Sequence, residues 1–380
     1  LLNPKPETRN PKPETRNPKP ETRNPKPETR NPLKKIAYIE IDTHAEIAQA
    51  FMDIMHDSSE FSVDYYLSKK IKDLVQENGE TVFLSDSSMI LEQLKSKKYD
   101  LIIIGTVHRY FNTFHTLVQK YNASVIVHNI NFSQASKGAL MKSIFKGDLV
   151  YRLKLWWKEG LFYSSKVYRN TKKLWVLDEE ISSEKYQFLP LFYNKYFENQ
   201  TKDSFTVVIP GGVSQKRRDY HHVFKTIEHL KTEEKWEFIF LGKAKDNELK
   251  QLEKLSKKLP ENVSIQYFSD RVSNDDFEKG MQKADLLWCP IQQKTEFFSR
   301  EEVYGLTKMT GNLGDAVKYG KTAVFPKDYP SKSEFIIPEK ENIIEQFKAL
   351  KNTRFDFQKS YSRNSVLKRL EDALSAAVSI

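Results

Sequence analysis

From Leu33 onward, short apolar runs alternate with longer stretches whose apolar residues recur every three or four positions. The first pattern fits strands and the second fits amphipathic helices. Segments 36–41, 61–67 and 81–84 read as strands, and 45–56 and 87–98 as helices, with Asp86 available to cap the latter. Segments 101–104 and 124–127 are almost wholly apolar, as strands buried on both faces of a parallel sheet are. Segment 174–177 is one more strand.

After a polar and aromatic stretch that contains Pro190, the rhythm restarts. Strands are predicted at 205–209, 236–241, 263–268, 285–289 and 322–325, alternating with helices at 218–231, 247–258, 275–283 and 315–319. Val366, Leu367, Leu370, Leu374 and Val378 have helical spacing, which predicts a C-terminal helix over 365–378. The pattern implies an α/β fold of two tandem Rossmann-like domains, at 33–185 and 204–355, joined by a hinge at 186–203 and closed by a C-terminal helix within 356–380. Residues 1–32 follow another rule. They hold four copies of Asn-Pro-Lys-Pro-Glu-Thr-Arg, a low-complexity unit without an apolar side chain, and are expected to be disordered and polyproline-leaning.

The repeat also changes how charge is read. The net charge is +10, but the four copies supply +4 of it, so the body is only mildly basic at +6. A single cysteine, Cys289, excludes an internal disulfide framework, and no Cys/His cluster has zinc spacing. The longest apolar run, 101–107, is far below the roughly 20 residues of a membrane span, and the N-terminus lacks the apolar core of a signal peptide. A cytoplasmic location is the expectation.

In open parallel sheets, ligands sit beyond the carboxyl ends of the strands. The loops there are rich in suitable residues. Gly211 and Gly212 would let backbone approach a phosphate, Lys216, Arg217, Arg218, Arg300 and Lys308 could neutralise one, and Lys243 in the loop after the second strand is a further binding candidate. There is no Walker motif and no Gly-x-Gly-x-x-Gly, so neither a P-loop nucleotidase nor a standard dinucleotide enzyme is supported. In the N-terminal half the post-strand loops carry Asp42, His44 with Glu46, His108-Arg109 and His128.

The order of segments in the C-terminal half resembles that of GT-B glycosyltransferases, in particular the branch with a Glu-x7-Glu motif (family 4-like). Members of that branch have a Gly-Arg-x-x-x-x-Lys-Gly loop after the first C-domain strand. The matching stretch here is Gly211-Gly-Val-Ser-Gln-Lys-Arg-Arg, with Arg217 at the lysine and Gly212 where arginine is expected. Glu302-Val-Tyr304-Gly305 and later Asp315-Ala-Val-Lys-Tyr-Gly-Lys resemble the motif itself, although twelve residues rather than seven separate Glu302 from Asp315. The resemblance implies a metal-independent hexosyltransferase that needs no cofactor beyond a nucleotide-diphosphate sugar donor and serves cell-surface polysaccharide or glycolipid synthesis. Glu302 would bind the donor sugar, Asp315 the ribose, and Lys308 with Arg217 the diphosphate. His128 would lie near the donor sugar. An inverting enzyme would use a base such as His44 or Asp42, and a retaining one none. Two rival readings remain: a non-catalytic binding or scaffold protein of the same fold, and a nucleotide-sugar epimerase.

Segment 137–173 carries ten Lys/Arg against Asp148 and Glu159, interleaved with leucines and two tryptophans. A basic amphipathic stretch of this kind fits either packing on the domain core or peripheral contact with an anionic membrane, where a glycan or lipid-linked hydroxyl acceptor would be met. No recognition motif accompanies the charge, so nucleic acid is not an expected partner.

Overall fold

The computed structural model describes residues 32–144, 149–197, 203–351 and 353–379. The heptad repeat, and with it the expectation of disorder there, lies outside the described residues. Strands β1 (Lys34–Glu40), β2 (Phe61–Leu67), β3 (Thr81–Leu84), β4 (Leu101–Ile104), β5 (Ala123–Ile126), β6 (Lys173–Val176) and β7 (Tyr186–Phe188) form one parallel sheet. Its order is β3-β2-β1-β4-β5-β6-β7.

From Phe205 the chain adds β8 (Phe205–Pro210), β9 (Trp236–Lys243), β10 (Val263–Phe268) and β11 (Leu286–Trp288). An antiparallel hairpin of β12 (Lys294–Phe297) and β13 (Arg300–Val303) follows, then β14 (Ala323–Phe325) and β15 (Ile336–Pro338). All but the hairpin join in a second parallel sheet of order β10-β9-β8-β11-β14-β15. In each sheet the strand order reverses beside the first strand, between β1 and β4 and between β8 and β11. That reversal opens a crevice beyond the carboxyl ends.

Both sheets are covered on both faces, which is why their central strands read as unbroken apolar runs. The helix Arg363–Val378 buries Val366, Leu370, Leu374 and Ala377 against the N-terminal sheet, in one cluster with Tyr38, Phe51 and Trp175. The C-terminal helix therefore crosses back to the first half. Ser58 Oγ donates to Glu371 at 2.6 Å, and Lys34 Nζ donates to Ser375 Oγ at 3.0 Å.

Strands β12, β13 and β15 and the helices Phe111–Lys120 and Ile343–Leu350 have no counterpart in the sequence pattern, and three further elements differ from it. Only Ile90–Gln93 and a 3-10 turn at Leu94–Ser96 form within 87–98. The Asp86 carboxylate accepts from Ser88 N (2.7 Å) and Met89 N (2.9 Å), and this local turn delays the helix. Strand β7 lies inside the 186–203 linker as the edge of the first sheet. The helix predicted at 315–319 begins at Gly311, because Thr310 Oγ1 caps Asn312 N. Gly314 within it packs against the Phe192 ring, leaving no room for a Cβ without displacement.

Truncating Leu370, which is fully buried, removes an anchor of the returning helix. Leu370→Ala should cost about 2–5 kcal/mol in chemical denaturation. A loss under about 1 kcal/mol would mean that the helix is not packed as described.

Candidate active site

A cleft of about 1220 Å³ runs between the carboxyl edges of the two sheets. One wall carries Asp42, His44, Glu46 and His128 from the first half, and the other Arg217, Arg218, Tyr304, Lys308 and Asp315 from the second.

On the first wall, the turn after β1 holds His44 in the left-handed region (φ 62°). Its ring stacks on His128 with centroids 4.0 Å apart, and its Nδ1 lies 2.9 Å from Glu46 Oε1. His128 Nε2 is 2.8 Å from the Gly105 carbonyl, which can only accept, so that nitrogen carries the proton. Burial pushes the His128 pKa well below the ordinary value; His44 and Lys308 add to the shift, and the Gly105 bond opposes it. His128 is thus a neutral imidazole. Asp42 lines the cleft, and its backbone carbonyl accepts from Lys70 Nζ at 2.6 Å.

Beneath the histidines lies Glu40, at the end of β1 and fully buried. It accepts from Thr106 Oγ1 at 2.9 Å and from the Thr43 backbone, so it ties the loop bearing His44 to the loop bearing Gly105. Burial raises its carboxyl well above the usual range, against those two hydrogen bonds. A Cβ at Gly105 would collide with Glu40 and the Tyr38 hydroxyl, so only glycine fits there. Sequence reasoning missed Glu40; its one signal was a lone acid in the apolar run 36–41.

On the second wall, Arg218 folds over Gly211 (φ 98°), where a Cβ would strike the guanidinium. Its Nη2 donates to Asn312 Oδ1 at 3.2 Å, while its Nε has no partner among the described residues. Arg217 is exposed at the cleft edge. Tyr304 lies near both arginines; burial raises its phenol and they oppose the shift. Lys308 Nζ donates to Asn129 Oδ1 at 2.5 Å, from one half to the other. Burial lowers its pKa, and Glu302 opposes this. Burial also pushes Asp315 up to about 6; Asn312, Lys318 and Arg218 oppose the rise, while Glu46 on the far wall adds to it. The two walls therefore sense each other electrostatically.

Several expected site residues stand elsewhere. Glu302, expected at the donor sugar, is fully buried outside the cleft lining. Its carboxylate accepts from Phe132 N (2.8 Å) and Asn131 N (3.3 Å) of the first half. Gly211 N already donates to Leu241 O at 3.0 Å, so that group is not free for a phosphate, and neither Gly211 nor Gly212 lines the cleft. Lys243 ends β9 and pairs with Asp270 at 3.7 Å; Arg300 belongs to the hairpin; neither reaches the cleft. Gly305 (φ 80°) serves the turn that returns Lys308, packed against Tyr329 and Pro330. Asp315 is the fifth residue of its helix rather than part of the first turn. Cys289 is buried, and burial raises its thiol, consistent with packing.

No protein-family model and no curated protein matches this chain. Solved structures do match. Anabaena HepE in complex with UDP aligns over 90% of this chain and 100% of its own, with a TM-score of 0.59 at 11% identity. A glycosyltransferase from Rickettsia africae covers 91% and 99% with TM-score 0.57 at 8% identity. The lipopolysaccharide outer core galactosyltransferase WaaB covers 90% and 99% with TM-score 0.53 at 10% identity. The fold is GT-B. In the GT-B frame the cleft between the sheets is the interdomain crevice, and Glu302 joins its two sides from behind.

Removing the Glu302 side chain would leave the buried N–H of Phe132 and the part-buried N–H of Asn131 without acceptors. Glu302→Ala should therefore destabilise the protein by about 1–3 kcal/mol, and Glu302→Gln, which keeps one acceptor, by less. Denaturant midpoints compare the two.

Proposed function

We propose that this chain is a glycosyltransferase that moves a sugar, in particular a hexosyl group, from a nucleoside-diphosphate donor to a hydroxyl acceptor. The observation that carries the reading is the cleft itself, with Arg217, Arg218 and Lys308 on one wall facing a neutral His128 and the His44–Glu46 pair on the other. A diphosphate fits the cationic wall. Asp315, beside Arg218 and Lys318, would accept hydrogen bonds from the ribose hydroxyls.

In this reading Glu46 accepts from His44 Nδ1 and leaves Nε2 with a lone pair for the acceptor hydroxyl. As the acceptor oxygen bonds to the anomeric carbon, the bond from that carbon to the diphosphate oxygen breaks. The hydroxyl proton passes to His44 Nε2, and the diphosphate leaves with its charge met by Lys308 and the arginines. This favours direct displacement with inversion. Side-chain cations take the part that a metal would otherwise have, and the reaction calls for no cofactor besides the donor. The similarity to HepE, solved with UDP, and to WaaB, a lipopolysaccharide outer core galactosyltransferase, supports a uridine donor and a cell-surface glycan or glycolipid acceptor as the first to test.

Nucleotide-sugars that bind should raise the melting temperature by mass action, and turnover should release nucleoside diphosphate. Loss of one charge-assisted contact in Lys308→Ala or Arg218→Ala should weaken donor binding about tenfold or more. Intact binding and turnover in both variants would falsify the assignment of the cationic wall. Release without a new glycoside, or an epimeric nucleotide-sugar as the product, would point to a different activity on the same fold.

Asp315 supplies a pH test. Its raised pKa means that the unbound folded state holds this proton more tightly than the unfolded chain, so its contribution favours folding at low pH and is lost as pH rises through about 6. Ribose binding needs the ionised form. Donor affinity should fall as pH drops through about 6, and that component should vanish in Asp315→Asn, with the nucleotide's own titration shared by both proteins. Parallel pH profiles for the two would remove Asp315 from the site.

A further inference from the structure

The sequence left open whether the apolar residues of segment 137–173 face the core or the solvent. The structure divides them. Leu140, Leu155 and Leu161 are buried in the first domain. On the helix Leu149–Trp157, however, Leu149, Val150, Leu153 and Trp157 point outward, with Val150 79% and Trp157 81% exposed. At about 100° per residue these four share one arc of roughly 100° on the helix surface. A helix of a globular domain normally turns such an arc to the core. Here only Leu155 is buried, on the opposite side. Met141, on the preceding helix Lys137–Ile144, is exposed as well.

Charge identifies the occupant. Lys154 and Lys158 lie along one edge of the apolar arc, Lys137 and Lys142 stand on the neighbouring helix, and all four are exposed. None of them forms an ion pair among the described residues. A basic depression of about 960 Å³ begins at Lys137 and is lined also by Arg169, Lys172, Lys173 and Lys185. An apolar arc with an indole at its end, bordered on one side by exposed lysines, has the chemistry of an interfacial helix: aliphatic and indole groups enter the acyl boundary while ammonium groups meet lipid phosphates.

We propose that the face formed by Leu149, Val150, Leu153 and Trp157, with the lysines around it, docks the protein on an anionic lipid bilayer. The inference stands independently of the transferase reading. Arg152 on the same helix donates to Ser299 Oγ of the hairpin at 2.8 Å and lies over the Phe298 ring at 5.7 Å, so the docked helix would be held to the second domain as well.

The full chain should co-sediment with vesicles of phosphatidylcholine containing phosphatidylglycerol, far less with phosphatidylcholine alone, and less at high salt. The triple variant Val150→Ser/Leu153→Ser/Trp157→Ser should lose at least about tenfold in vesicle affinity. Because the three side chains are exposed, its unfolding midpoint should be unchanged, which separates lost docking from lost folding. Lys154→Glu/Lys158→Glu should also weaken binding and flatten the salt dependence. The proposal is overturned if the wild type stays in solution with anionic vesicles, or if the triple variant or the charge-reversed variant binds as well as wild type. It is overturned equally if the wild type self-associates through this face without binding vesicles, since a second copy would then be the occupant.

Discussion

The hairpin of the second domain clasps the first, and the rest of the site depends on that clasp. Glu302 on β13 directs its carboxylate at the backbone N–H groups of Asn131 and Phe132, while Asn131 Nδ2 donates to Glu301 O at 2.8 Å. At the hairpin tip Phe297 meets Phe132 edge to face at 4.9 Å, and Phe297 and Phe298 both lie 5.2 Å from His108. Hydrogen bonds to a charged group contribute roughly 1.5–3 kcal/mol each, and aromatic pairs about 0.5–1.5 kcal/mol beyond their burial. The Phe132–Glu302 bond is buried, and Phe297 and Phe298 are half-buried against the first domain. The separation of the two cleft walls is therefore set by specific contacts rather than left to the short connection between the domains.

The same clasp positions the cationic wall. Directly after β13 the chain turns at Gly305, and Thr307 O accepts from Ile130 N at 2.9 Å across the domains. One residue later Lys308 reaches Asn129 and comes near enough to His128 to lower its pKa. A buried ammonium would ordinarily be costly. Here Glu302 supplies the opposite charge from behind, so the residue that holds the domains together also opposes the downward shift that burial imposes on Lys308.

On the first wall Glu40 has the matching part. Loops after parallel strands are otherwise free to move, but a buried carboxyl that accepts from both Thr43 and Thr106 leaves little room for the His44 and Gly105 turns to separate. The stack of His44 on His128 follows from that constraint, and so does the tautomer of His128. Each wall is thus organised by a glutamate that does not itself line the cleft.

The sequence by itself determined the two sheets and most of their strands, because burial on both faces demands apolar runs that are visible without coordinates. It also determined where ligands would be sought, since chain order places the loops after β1, β5 and β8 at the carboxyl edges, and His44, His128, Arg217 and Arg218 all stand there. Only the tertiary structure decided the rest. Glu302 reads as a site residue by resemblance, yet its partners lie some 170 positions away in the chain and bury it. The hairpin has charged and aromatic residues mixed within ten positions, a pattern whose meaning comes from the domain it packs against. Glu40 looks like an interruption of a strand until Thr106 is folded beside it. The outward turn of Leu149, Val150, Leu153 and Trp157 belongs to the same class, because periodicity defines an apolar face but not which way the domain turns it.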